Sequence, residues 1–321
     1  MPVERRTACN YSFGYRYLLL GRRLLSAAIL IGSVLIAIGV DAWQPLLESP
    51  GLWLVPVMAF FVGGTALEFG QLASRQVAIR PFVPMMFSLI LIAIASIPIF
   101  YRAAFGRVYP ADCPIGILGW IGVGSASVCG LSGLAMLRSY SIGESKAVER
   151  WAFLTLIPVY AGGLGAFWIA IRLSGAPLLS LTILVGIVAV TKITDASAYF
   201  AGKSMGRTKL CPSISPGKTV EGAVAGLLAG MLAAWLYFGC LVPWMQPVES
   251  PKLLWWGPVL VGLLLGIVGL IGDLIESVVK RSVGAKDSGN LLPGLGGIWD
   301  VTDSLLPTAV VGYLGIIAHW I

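Results

Sequence analysis

The chain has 321 residues, of which 57% are hydrophobic and 12% are charged, with a formal net charge of +7. Soluble domains carry about 25% charged residues, so this composition excludes an ordinary soluble protein. The positive charge needs no nucleic acid to explain it, because a basic face also suits anionic lipid. We therefore predict an all-α, polytopic transmembrane helical bundle with no nucleic-acid partner.

Apolar runs of about 20 residues recur along the chain, and this length is typical of transmembrane helices. No cleavage site of the A-x-A type follows the first run, so we expect that helix to be retained. The gaps between runs are short, which favours a single membrane domain over residues 1–321. We predict about nine spans, near 24–40, 52–69, 82–100, 115–137, 151–171, 177–199, 220–242, 253–278 and 299–320.

The loops between these runs differ in positive charge. If the N-terminus is cytoplasmic, 17 Lys and Arg residues fall on that side and four on the other, with Lys192 inside a span. Cytoplasmic loops carry an excess of Lys and Arg, so this asymmetry predicts a cytoplasmic N-terminus in the cell (inner) membrane. An odd number of spans then places the C-terminus on the opposite side.

The inventory of reactive residues is narrow. Five scattered cysteines form no CxxC pair, which argues against zinc, iron–sulfur and disulfide frameworks. The single histidine, His319, argues against a Ser-His-Asp triad. Any hydrophilic chemistry must therefore rest on carboxylates, cations, hydroxyls and backbone groups.

The segment GDLIESVVKR, residues 272–281, carries acids at the edge of a span. On a continued helix, Asp273, Glu276, Ser277 and Lys280 share one face. Acids at this depth usually face the bundle interior or a water-filled cavity, which makes them functional candidates. The structural alternative is a Glu276–Lys280 helix pair beside a buried Asp273 satisfied by its neighbours.

Two further acids, Asp300 and Asp303, lie three residues apart where the last span begins. Capping of the helix N-terminus explains one such acid. Together with Asp273 on the same membrane side, the pair better fits ligands of a hard divalent cation. Mg²⁺ takes oxygen ligands of this kind, with substrate phosphates and water completing its shell.

Two long loops add groups that bind phosphate. KRSVGAKDSGNLLPGLGGIWD, residues 280–300, combines glycines with cations, and exposed backbone amides beside cations suit phosphates. It lacks the GxxxxGK[ST] pattern, and a flexible connector is the alternative. In the loop from Thr194 to Gly222, Asp195 and Glu221 bracket four cations. These features together predict phosphoryl or nucleotidyl transfer to a lipid at the cytoplasmic mouth of the bundle.

Residues 277–304, SVVKRSVGAKDSGNLLPGLGGIWDVTDS, resemble the signature of phosphatidate cytidylyltransferases (CDP-diacylglycerol synthases). That signature has the form S-x-x-K-R-x(4)-K-D-x-G-x-x-L-P-G-H-G-G-x-x-D-R-x-D. The family motifs cover residues 191–321, whereas residues 1–190 match as generic apolar helices. Leu295, Val301 and Gly217 stand where the family has His, Arg and Lys. The matching residues are Ser277, Lys280, Arg281, Lys286, Asp287, Gly289, Leu292, Pro293, Gly294, Gly296, Gly297, Asp300 and Asp303.

The resemblance implies that CTP and phosphatidate give CDP-diacylglycerol and pyrophosphate, with Mg²⁺ and room for a second cation. It implies that Asp273, Asp300 and Asp303 hold the metal. Asp287 would orient Lys286 or bind a metal. By the same resemblance, Lys280, Arg281 and Lys286 bind phosphates, and Arg207, Ser215, Lys218, Ser277, Gly296 and Gly297 contact substrate.

Three alternatives stay open from the sequence. A related transferase acting on another lipid phosphate or a polyprenol is the first. An ion-coupled secondary transporter using Asp195, Glu221 and Asp273 is the second, although no internal repeat is visible. A degenerate paralogue with a structural role is the third. The sequence leaves acyl-chain preference, the number of metal ions and the oligomeric state open, with a homodimer among the options.

Overall fold

The computed structural model describes residues 4–110, 112–143, 146–245 and 254–321, with side chains described from Leu24 onward. Several residues that bear on the sequence predictions therefore lie outside the described side chains. They are Arg5, Arg6, Arg16, Arg22, Arg23, Glu144 and Lys252.

The described chain is almost entirely helical, as an apolar membrane solvent requires, because helices satisfy their own backbone groups. In order, its elements are α1 (Glu4–Trp43), α2 (Leu54–Ala73), α3 (Phe82–Ala95), α4 (Ile97–Phe105), α5 (Gly116–Ser141), α6 (Ala147–Pro158), α7 (Leu164–Arg172), α8 (Pro177–Met205), β1 (Lys209–Cys211), β2 (Ser215–Thr219), α9 (Val220–Ala234), α10 (Val242–Met245), α11 (Gly257–Ser282), α12 (Trp299–Thr302) and α13 (Leu305–Ile317). A short 3₁₀ turn, Leu46–Glu48, and two π-helical turns, Val159–Gly163 and Trp235–Leu241, join neighbouring helices.

Eight of the described helical segments are long and apolar enough to cross a membrane, and α3 with α4 forms a bent pair. The bend is 51° and coincides with Ser96 and Pro98, a residue that cannot donate to the preceding turn. Pro81 directly precedes α3, and its backbone packs against Gly70 near the end of α2. In α4, the Ile99 carbonyl accepts the Ser49 hydroxyl at 2.9 Å, just before α2.

The bent pair thus extends from one end of α2 to the other and counts as one span. Counted in this way, the described chain has nine segments that are long and apolar enough to cross a membrane, the predicted number. The helical bundle architecture is confirmed. One local element differs from the all-α prediction: β1 and β2 form an antiparallel hairpin, with Lys209 paired to Thr219.

Close helix packing around α8, α9 and α11 positions the functional end. A side-chain carbon at Gly262 of α11 would overlap the Gly230 carbonyl of α9, and one at Gly226 would overlap Ala198 of α8. Small residues allow this approach, which is how membrane helices associate when apolar burial gives no net advantage. The three helices bring the end of α8, the start of α9 and the end of α11 together.

The opposite end of the bundle holds a buried ion pair. Arg172, at the end of α7, donates Nη2 to Asp41 Oδ2 at 2.7 Å and Nε to the same oxygen at 2.9 Å. Asp41 Oδ1 accepts the Gly51 amide at 2.8 Å. Arg172 Nη1 reaches the Pro177 carbonyl and the Ser180 hydroxyl. The pair ties α1, α7, α8 and the start of α2 together.

Candidate active site

Three carboxylates converge where α11 and the start of α13 meet. Asp273 and Glu276 lie on one face of α11, as their spacing predicts, and Asp303 follows α12. One carboxylate oxygen from each residue lies within 4.8 Å of the others. Glu276 and Asp303 are buried, whereas Asp273 is partly accessible. We call these three residues the acid cluster.

The acid cluster fits a hard cation. Among the described residues, no N–H or hydroxyl group donates to Glu276 Oε1, although this atom is buried. Three oxygen donors and an unsatisfied carboxylate oxygen are the chemistry that Mg²⁺ selects. Mutual repulsion of the three carboxylates disfavours the arrangement unless positive charge is supplied.

Lysines surround the acid cluster. Lys280 Nζ lies 3.0 Å from Glu276 Oε2 and 2.7 Å from Asp300 Oδ1, so one cation serves two acids. Lys218, from β2, lies 2.8 Å from Asp273 Oδ2. The acids still outnumber the lysines in this region. The acids are Asp195, Asp273, Glu276, Asp300 and Asp303, and the lysines are Lys192, Lys218 and Lys280.

Lys192 occupies a place that the sequence analysis left unassigned. Its ammonium donates to the Val301 carbonyl at 3.1 Å and to the Ser304 hydroxyl at 3.0 Å, and lies 3.4 Å from Asp195. Ser304 in turn donates to Asp195 at 2.9 Å. Lys192 therefore links α8 to a backbone carbonyl before Asp303 and to a side-chain hydroxyl after it.

Asp300 lies beside the acid cluster and organises the glycine-rich loop. Its Oδ2 accepts the Gly297 amide at 2.7 Å and the Ser288 amide at 3.2 Å, while Oδ1 faces Lys280. The Ser288 hydroxyl lies 3.0 Å from the same Oδ2. These donors occupy most of the carboxylate's lone pairs. The predicted role of Asp300 as a metal ligand remains a prediction, and its contacts here are to the loop and to Lys280 of α11.

A buried acid from α2 completes the loop's support. Glu68 accepts the Ile298 and Trp299 amides, both at 2.9 Å, and the Ser288 hydroxyl at 2.8 Å. A side-chain carbon at Gly297 would overlap the Glu68 carboxylate. Glu68 thus caps the helix that begins at Trp299 from a distant part of the chain, in place of a local capping residue.

The hairpin forms the second wall of the site. Glu221 accepts the Thr208 amide at 3.0 Å, and Thr219 caps α9 by accepting the Gly222 amide at 3.2 Å. These bonds fix the strand that carries Lys218. Arg281 Nε reaches the Ile214 carbonyl at 3.4 Å and so joins α11 to the hairpin.

The predicted site residues divide into two sets. Those gathered around the acid cluster are Asp273, Ser277, Lys280, Gly296, Gly297, Asp300, Asp303 and Lys218. Those that are exposed or half-buried on the hairpin, at the end of α11 and on the loops beside them are Arg207, Ser215, Arg281, Lys286 and Asp287. Their assigned roles as phosphate or substrate contacts stay predictions.

The three departures from the signature lie around the same site. Leu295 and Val301 are half-buried, and the Val301 carbonyl accepts Lys192. A side chain at Gly217 would meet open space, so nothing in the fold requires glycine there. Sequence reasoning missed Glu68, Lys192 and Ser288 as site residues. For Glu68 and Lys192, the signal in the sequence was a charged residue inside an apolar run.

Comparison with known proteins gives the family. Residues 21–318 match the model of the cytidylyltransferase family. Over 140 residues the chain is 44% identical to an uncharacterised protein, YnbB, from Escherichia coli (strain K12), covering 44% of this chain and 43% of YnbB. It is 40% identical over 154 residues to a phosphatidate cytidylyltransferase from Bacillus subtilis (strain 168), covering 48% and 54%.

A phosphatidate cytidylyltransferase from Brucella abortus (strain 2308) is 46% identical over 133 residues, covering 41% of this chain and 46% of that protein. The chain thus spans about half the length of the curated relatives that it matches. The family match, by contrast, covers most of the chain and includes every residue of the acid cluster. The chain belongs to the cytidylyltransferase family.

Proposed function

We propose that this protein transfers a cytidylyl group from CTP to phosphatidate, giving CDP-diacylglycerol and pyrophosphate. The observation that carries the proposal is the convergence of Asp273, Glu276 and Asp303 with Lys218 and Lys280 at one end of a membrane-spanning bundle. A water-soluble nucleotide and a lipid headgroup can meet at such an end. Relatives named phosphatidate cytidylyltransferase support this choice of substrates.

We propose Mg²⁺ as the cofactor. Asp273, Glu276 and Asp303 would hold it, with Asp300 as the further ligand that the signature implies. When bound, Mg²⁺ neutralises charge on the reacting phosphates. The excess of acids over lysines leaves room for a second cation.

In the proposed reaction, a phosphate oxygen of phosphatidate attacks the α-phosphorus of CTP. A new P–O bond forms as the bond between the α-phosphorus and the bridging oxygen breaks, and pyrophosphate leaves with that electron pair. Such transfer depends on positioning and charge neutralisation more than on covalent help. Because the attacking phosphate is already anionic near neutral pH, the protein needs no general base.

The lysines have separate tasks in this proposal. Lys280 is fixed between Glu276 and Asp300 by bonds of 3.0 and 2.7 Å, so its position is set before substrate arrives. Lys218 is paired with Asp273 and comes from the opposite wall. Preorganised cations on two sides of the site stabilise phosphate charge without reorganisation during reaction.

We place the site at the cytoplasmic face of the inner membrane. The support is the asymmetry of Lys and Arg in the loops, which assigns both site loops to the side rich in positive charge. CTP is supplied from the cytoplasm, which agrees with this orientation. A transporter is not favoured, because the acids collect at one end of the bundle.

The first test is an assay of purified protein in detergent with radiolabelled CTP, phosphatidate and Mg²⁺. We expect labelled CDP-diacylglycerol from the wild type and none from Asp300→Ala. Glu149→Gln is the matched control, because Glu149 pairs with Lys146 on an exposed surface at 3.6 Å. Absence of product from well-folded wild type would contradict the proposal.

A second candidate is transfer to another lipid phosphate. Leu295 and Val301 favour it, since they remove two polar groups of the signature from the neighbourhood of the site. The same assay with a panel of lipid phosphates, and with Leu295→His, separates the two candidates. Turnover of a different lipid by the wild type would replace phosphatidate as the substrate.

A further inference from the structure

A groove of about 870 Å³ runs between α1 and α2. This volume lies within the roughly 300–1,000 Å³ of small-molecule sites. Its walls are mostly apolar, and include Leu30, Val34, Val57 and Phe61. α1 is otherwise little buried, since only 6% of its most apolar stretch, within Leu24–Trp43, lies inside the protein. The groove therefore lies on the side that faces lipid.

The groove is continuous with the loop that supports the candidate active site. Leu292 and Pro293 form one end of its wall, and the Ser26 hydroxyl of α1 donates to the Pro293 carbonyl at 2.8 Å. The Leu292 amide donates to the Gly296 carbonyl at 3.0 Å. The next residue, Gly297, donates its amide to Asp300. One short loop therefore joins the mouth of the groove to the site.

The length of the groove's α1 wall corresponds to one leaflet. Its α1 wall runs from Leu25 to Val34, and at about 1.5 Å per residue this is about 14 Å. Half of a hydrocarbon core that is about 30 Å thick is about 15 Å. The α1 wall begins at the end of the bundle that holds the site and reaches the middle of the apolar part of α1. The α2 wall, Pro56 to Phe61, lies in the first half of α2, nearer to Asp41. The groove therefore extends from the loop at Pro293 to the middle of the bundle and beyond it along α2.

We propose that one acyl chain of the lipid substrate lies in this groove while its phosphate lies at the acid cluster. This inference rests on the proposed function, because it assigns a place to the lipid of that reaction. Lipid tails are as apolar as the groove, so the groove adds little affinity. Its contribution is alignment, because a chain held along α1 directs the headgroup toward the glycine-rich loop.

The kinetic test fills the deep part of the groove with Val34→Trp. The large indole blocks a long chain, whereas a short chain does not reach it. We expect the ratio of kcat/KM for dioleoyl over dihexanoyl phosphatidate to fall about tenfold. Ile36→Trp is the matched control, because Ile36 is 68% exposed on the same helix and lies outside the groove. An equal ratio in both variants overturns the inference.

A second test works without turnover. A phosphatidate with a diazirine in mid-chain is photolysed with the detergent-purified full chain, and the labelled peptides are identified by mass spectrometry. We expect label within 24–34 or 54–61 in the wild type and its loss in Val34→Trp. Label elsewhere in the wild type overturns the inference. If the wild type labels in the groove yet turns over no phosphatidate, the proposed reaction fails and the lipid site stands.

Discussion

The two ends of the bundle bury charge in opposite ways. At one end, Asp41 and Arg172 form a closed set, in which each carboxylate oxygen has a donor and the guanidinium also reaches Pro177 and Ser180. At the other end, the acid cluster has three carboxylates beside two lysines, Lys218 and Lys280, and no N–H or hydroxyl group of the described residues donates to Glu276 Oε1. A buried ion pair whose hydrogen bonds are all satisfied serves the structure, whereas a buried group of acids without enough donors is able to bind a cation.

The largest expected effect is on catalytic efficiency and comes from a change in the acid cluster. Asp303→Asn removes one oxygen charge from the acid cluster and should lower kcat/KM by about 10³–10⁴-fold, equivalent to about 4–5.5 kcal/mol. Without Mg²⁺ the variant should be at least as stable as the wild type, since it relieves repulsion among carboxylates. The assay with radiolabelled CTP and a thermal melt measure both. If the variant loses stability along with activity, Asp303 has a structural role like that of Asp41.

A change in the pair of Asp41 and Arg172 should have the opposite result, a loss of stability without a loss of activity. Asp41→Asn leaves Arg172 buried without its anion and should cost about 3–5 kcal/mol of unfolding free energy. The double change Asp41→Leu with Arg172→Met should recover most of it, because no uncompensated charge remains. Denaturant unfolding in detergent measures the cost. The kcat of the protein that stays folded should be unchanged, and a large fall in kcat would break the contrast between the ends.

Glu68 tests whether a satisfied acid at the functional end belongs to structure or to catalysis. It accepts three hydrogen bonds and, within the described part of the chain, forms no ion pair. Glu68→Gln puts an amide donor against amide donors and should cost about 1–3 kcal/mol. If Glu68 positions Asp300 through Ser288, the Mg²⁺ concentration for half-maximal activity should also rise.

Glu68→Asp supplies the control for that variant, because it keeps the charge but shortens the side chain. In Glu68→Asp, the Mg²⁺ concentration for half-maximal activity should return at least part of the way to the wild-type value. A loss of stability with an unaltered Mg²⁺ requirement in both variants would leave Glu68 as a helix cap only.

Sequence patterns predicted the spans because apolar length is a local property that a stretch of chain carries by itself. They also placed Asp273 and Glu276 on one helical face, since that follows from helix geometry. The partners of Glu68 lie 220 to 231 residues away, so no local pattern identifies them. The hairpin was missed because its short strands, KLC and SPGKT, carry no apolar alternation.

The smallest expected effect is the increase in stability of the folded protein when Mg²⁺ binds. If Mg²⁺ binds the acid cluster only in the folded protein, tenfold excess over its Kd should stabilise the wild type by about 1.4 kcal/mol. The shift should vanish in Asp273→Asn and persist in Asp41→Asn, because the second variant alters only the closed pair at the far end. Thermal melts with Mg²⁺ and with a chelator measure it. An equal Mg²⁺ shift in both variants would mean that the cation binds elsewhere, and the acid cluster would then share the structural role of Asp41 and Arg172.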